Sequence, residues 1–164
     1  LFLLISDNPD HVIPTILSRC LPVRIPRISE SHLRMNQEAM EENQAHFTLF
    51  RNWMRLCFSG NIIELIAFAN ETGKIGREKQ KSLLLYGLRI AGTGSLVIHG
   101  VSELPGDQNE ETTFISRFSP YLTDEKLPAF YDLLNIAIFH IERNAHTPTL
   151  FLDLSLKITA LFKG

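Results

Sequence analysis

Residues 36–73 read NQEAMEENQAHFTLFRNWMRLCFSGNIIELIAFANETG, and their apolar side chains recur with helical spacing. In the first half these side chains fall on one face of a helix, which Trp53 and Phe58 widen. Gly60 is placed to end this helix, and Asn61 to cap a second one that another glycine closes. The stretch therefore predicts two antiparallel helices. Their apolar faces consist of Met40, Phe47, Phe50, Met54 and Cys57 in the first helix, and of Ile62, Leu65, Ile66 and Ala69 in the second.

Three further helices are indicated downstream, so that residues from about 37 to 163 form a bundle of about five helices. The first of the three runs from about Arg77 to Ile90 or beyond. Its glycines at 87, 92 and 94 cost about 1 kcal/mol each relative to alanine, unless a neighbouring helix packs closely there.

The last two helices follow a long loop at residues 100–112. Thr123 is placed to cap one helix, and Thr147 to cap the other, with Pro148 at the first helical position. The acidic pair Glu110–Glu111 falls in the loop and is expected to be solvated. The apolar positions are Leu127, Phe130, Leu134, Ala137 and Ile141 in the first of these helices, and Phe151, Leu154, Ile158 and Leu161 in the second.

The first residues of the chain have a different character. Residues 1–6 are a continuous apolar run ended by an Asp-Asn-Pro turn, which predicts a fully buried strand. Because a buried strand needs neighbours and the rest reads as helix, we expect the chain to be cut from a longer protein. The sequence thus predicts a mainly α protein with three parts. These are a strand-turn-helix remnant at 1–28, a linker at 29–36 and a helical domain at 37–164.

Composition and charge argue against several classes of function. The chain has 16 basic and 18 acidic residues and a formal charge of -2, so it lacks a basic field that would hold a phosphate backbone. No stretch reaches the ~18 uninterrupted apolar residues of a membrane span. Cys20 and Cys57 lie in apolar surroundings without metal-ligand spacing, which favours reduced thiols in a reducing compartment. We therefore expect neither direct nucleic-acid binding nor a membrane span.

Motifs for catalysis or metal binding are missing from the sequence. It has no phosphate loop, GxGxxG, HExxH, EF-hand loop or GxSxG. The histidines lack ligand spacing, although His140 and His146 could approach each other across a helix end. We expect no metal, no bound cofactor and no complete active site. An intrinsic hydrolase would require an acid-base or nucleophile cluster that the sequence does not contain.

One motif stands out in the N-terminal part, where Ile-Pro-Thr-Ile-Leu at 13–17 leads into Ser18, Arg19 and Cys20. With the strand and turn before it, this segment resembles the end of the ATPase domain in clamp loaders of the AAA+ superfamily. The closest resemblance is to delta-prime subunits of bacterial DNA polymerase III. In that family the Ser-Arg-Cys motif presents an arginine to the nucleotide of the neighbouring subunit. A planar, permanently charged guanidinium suits the charge that develops on a transferring phosphoryl group.

The resemblance implies a non-catalytic scaffold subunit of the replicative clamp loader in the bacterial cytoplasm. Arg19 would act in trans as an arginine finger on ATP-Mg held by a neighbour, and Ser6 or Asp7 falls where the family places a sensor residue. The helical domain would correspond to the collar that joins gamma/tau and delta subunits into a ring. Contact with the sliding clamp and primer-template DNA would be indirect. The family's three-helix lid does not fit into residues 29–44, so the lid has either been lost or is omitted from this sequence, and its absence agrees with a static role.

Two alternatives stay open. An ATP-hydrolysing gamma/tau-type subunit would carry an intact phosphate loop upstream, and delta-prime is favoured because the chain ends shortly after the helical domain. A free-standing ligand-binding or regulatory module would contain an internal pocket lined by Phe and Met with convergent polar groups, whereas a scaffold would have a solid core.

Overall fold

A computed structural model describes residues 30–100 and 110–163, with side chains from residue 41 onward in those ranges. By internal contacts the chain divides into two units, Leu1–Glu38 and Ala39–Gly164, and the contacts below lie in the second. The predicted strand at 1–6 lies outside the described residues.

The described residues form six α-helices and one short 3-10 helix, and they contain no strand. The predicted mainly helical class is confirmed. Within these ranges, no helix has both the length and the apolar character needed to cross a membrane. The elements are α1 (Glu30–Ser59), α2 (Ile62–Thr72), α3 (Arg77–Ile98), α4 (Glu110–Phe118), the 3-10 helix (Ser119–Tyr121), α5 (Lys126–Glu142) and α6 (Thr147–Lys163).

Two helix boundaries differ from the sequence pattern. α1 begins at Glu30, so the segment assigned to a linker at 29–36 is helical from Glu30 onward. α5 begins at Lys126, and Thr123 does not cap it with its side chain. Instead, the Thr123 carbonyl accepts hydrogen bonds from the backbone N–H groups of Lys126 and Leu127, at 2.9 and 2.8 Å. Thr123 thus begins a turn that leads into the helix.

Helix α4 was not expected, because residues 100–112 were predicted to be a loop. That prediction is wrong from Glu110 onward. The segment is rich in β-branched residues, which weakens its intrinsic helix propensity. Burial of Thr112, Ile115 and Phe118 against the rest of the bundle supplies the stabilisation that local propensity lacks.

The chain folds back at Gly60 and Asn61 between α1 and α2. Gly60 adopts a left-handed φ of 67°, and the Asn61 side chain accepts a hydrogen bond from the N–H of Ile63. Trp53 and Phe68 lie equally far on either side of this turn, and their rings stack at 5.7 Å. Such a contact requires the two helices to run antiparallel, as predicted.

Helix α1 supplies the centre of the core. The face predicted from its periodicity is confirmed from Phe47 onward, and these side chains are at most 1% exposed. Met40 lies outside the residues whose side chains are described. Burial raises the pKa of the free Cys57 thiol to about 12, so Cys57 stays protonated and unreactive in the folded protein. The buried residues of this face are Phe47, Phe50, Trp53, Met54 and Cys57.

Helix α3 crosses its neighbours at glycines. A Cβ at Gly87 would lie 2.7 Å from Cε2 of Phe50 and 3.2 Å from Cδ1 of Leu134, and one at Gly94 would collide with the Ser119 hydroxyl. The close packing that would justify glycines inside a helix is therefore present.

Candidate interaction surface

The residues of the predicted arginine-finger motif, Ser18, Arg19 and Cys20, lie outside the described residues, as do Ser6 and Asp7. Their roles stay predictions.

Aromatic rings fill the centre of the bundle. The Phe50 ring lies edge-on to four others, Trp53, Tyr86, Phe114 and Phe118, with centroid distances of 5.9 to 6.1 Å. Edge-to-face packing of this kind is favourable beyond the burial of area alone. Around Phe50, the interior is therefore a packed aromatic core.

Two polar side chains inside this core, Trp53 and Ser155, are hydrogen-bonded to each other. The Trp53 indole N–H donates to the Ser155 hydroxyl at 2.8 Å, and this hydroxyl donates to the Phe151 carbonyl at 2.6 Å. Both side chains are fully buried, so each bond satisfies a group that water cannot reach. The pair joins α1 to α6.

The acidic pair at the start of α4 joins α4 to two other helices. Arg51 Nη1 on α1 lies 2.6 Å from Glu110 Oε2. On α3, Arg89 Nη2 and the Tyr86 hydroxyl donate to Glu111 Oε1 at 2.5 and 2.9 Å. Burial, followed by the charge of Glu111, raises the pKa of Tyr86. The prediction of a simply solvated pair is wrong for Glu111, whose role is structural.

The side chains of His140 and His146 each contact a neighbouring residue. His146 Nδ1 lies 2.8 Å from the Thr149 hydroxyl at the start of α6. The His140 ring lies 5.7 Å from the ring of Phe139. In the part of the chain that the structure describes, no three His, Cys, Asp or Glu side chains are grouped to hold a metal ion.

A shallow groove runs between α5 and α6. We call it the α5–α6 groove. Its apolar lining includes Ile136, which is 54% exposed, and two alanines that allow a helix to approach closely. Amphipathic helices bind in grooves of this kind by burying an apolar face. The groove is lined by Lys126, Ala129, Asp132, Leu133, Ile136, Lys157, Ala160 and Leu161.

A second exposed surface lies where α1 ends and α2 begins. The Phe58 ring stacks on Phe162 at 4.4 Å and meets the Tyr121 ring edge-on at 4.7 Å. Tyr121 is 53% exposed, and the two isoleucines that open α2 are 58% and 80% exposed. We call the three rings of Phe58, Tyr121 and Phe162 the apolar end.

The exposed isoleucines of α2 correct part of the sequence prediction. Leu65 and Ala69 are buried as expected. Ile62 and Ile66 were also expected on the buried face but are exposed, and Phe68 and Thr72 are buried in their place. The stack of Phe68 on Trp53 sets this orientation. Because apolar residues lie on nearly all sides of α2, their periodicity does not show which side is buried. Their number is larger than one buried face needs, and this excess was the sequence feature that indicated an exposed apolar surface.

Comparison with known proteins identifies no relative of the chain. No protein family matches the sequence, and neither a curated protein nor a solved structure is significantly similar to it.

Proposed function

We propose that the chain is a non-catalytic scaffold subunit of a bacterial replicative clamp loader, of the delta-prime type. In this proposal, residues 1–28 are the end of an AAA+ ATPase domain and the helical bundle is the assembly domain. The observation that supports assembly best is the division of the apolar residues of the bundle. One set closes a packed aromatic core, and another stays exposed along the α5–α6 groove.

The groove suits a helix from a sister subunit. Its alanines, Ala129 and Ala160, let two backbones approach, and Ile136 offers a side chain that only a partner can bury. Burial of apolar surface contributes roughly 25 cal/mol per Å², so a helix laid in the groove would stabilise a ring of such domains.

Arg19 is the residue through which a subunit that has no ATP site of its own would contribute to ATP hydrolysis. Its guanidinium would be offered to ATP-Mg in the adjacent subunit, where it would neutralise charge on the transferring phosphoryl group. This role is separate from assembly. The two parts of the proposal can therefore fail independently.

Both parts can be tested by reconstituting the chain, in its intact subunit, with gamma/tau and delta subunits. Ile136→Glu should abolish co-elution in size-exclusion chromatography, because it places a charge in the groove. Arg19→Ala should lower the ATPase rate of the assembled complex and leave co-elution intact.

Matched variants control for loss of folding and for loss of charge. Leu85→Glu alters another exposed apolar residue, on α3, and should leave co-elution unchanged. Arg24→Ala removes a nearby arginine and should leave the ATPase rate unchanged. Failure of the unmodified subunit to co-elute would exclude the assembly role, and unchanged turnover with Arg19→Ala would exclude the action in trans.

A free-standing ligand-binding module is less well supported, since Phe50 and Met54 are buried in the packed core and line neither the α5–α6 groove nor the open depression on α1 between Glu41 and Asn52. A gamma/tau-type subunit differs by an intact phosphate loop upstream, which the sequence preceding Leu1 would reveal.

A further inference from the structure

We draw no further inference here: the strongest candidate, the exposed apolar ridge of Ile62, Ile63 and Ile66 on α2, carries none, because nothing among the described residues shows what covers it.

Discussion

Trp53 combines ring packing with a buried hydrogen bond. Its ring stacks on Phe68 of α2 and meets Phe151 of α6 at 5.7 Å, and its indole N–H reaches Ser155. One side chain thus links three helices by apolar contact and by a directed hydrogen bond. Fully buried polar groups of this kind favour a single arrangement of the helices, because any shift leaves one of them unsatisfied.

The coupling between Trp53 and Ser155 is directly testable. Ser155→Ala should destabilise the chain by about 1–3 kcal/mol, because it leaves the buried indole N–H without an acceptor. Trp53→Phe should also destabilise, but the double variant should cost less than the sum of the two, since each change removes the same bond. Urea denaturation of the four proteins measures the coupling. Strict additivity would mean that the bond contributes nothing to stability.

At the scale of elements, helix ends and helix crossings decide the arrangement. α3 supplies both, because its middle crosses α1 and α5 at Gly87 and its last residue is followed by His99. The first contact depends on the absence of a side chain. The second depends on the charge of an imidazole.

Replacement of Gly87 should test the helix crossing. Gly87→Ala should destabilise by about 1–3 kcal/mol through overpacking against Phe50 and Leu134, even though alanine is the better helix former. Gly92→Ala is the matched variant on the same helix, where a Cβ would meet only the tip of Tyr131 at 2.7 Å. In thermal denaturation, Gly92→Ala should lower the stability clearly less than Gly87→Ala does. Equal losses of stability at both sites would show that close packing at Gly87 does not determine the effect of the substitution.

The end of α3 should give a pH-dependent contribution to stability. The pKa of His99 is raised, first by its hydrogen bond to the Ser95 carbonyl and then by Asp124, at 3.2 Å from Nε2. Because the folded pKa lies above the unfolded one, the contribution is complete below the unfolded pKa of about 6.5 and is lost as pH rises through the folded value.

Melting temperatures of the wild type and His99→Gln between about pH 5 and 8 provide the measurement. The wild type should be the more stable protein at the acidic end, and the difference should shrink towards the basic end. A difference that does not change with pH would show that the imidazole charge has no part in stability.

At the scale of the whole molecule, the apolar residues serve two purposes. The packed core holds the helices together, and the residues left outside form the α5–α6 groove and the apolar end. A bundle with a filled interior and apolar surfaces is suited to bind other proteins. For this reason the proposed function concerns assembly rather than chemistry within the bundle.

Sequence reasoning located neither exposed surface in advance. It anticipated that exposed apolar or aromatic residues would serve assembly, but the apolar end joins Phe58, Tyr121 and Phe162, which are far apart along the chain. No local pattern reports such a cluster. The motif around Arg19 could be recognised in the sequence because its residues are consecutive.

The helical class, the turn at Gly60 and the buried face of α1 could be predicted from the amino-acid sequence. These features depend on periodicity and on backbone preferences, which act over a few neighbouring residues. The helical state of α4, the pairing of Glu111 and the exposure of the isoleucines of α2 could not be predicted without the folded structure. Each of these depends on contacts between residues distant in the chain, whose free energy exceeds and can override local propensity.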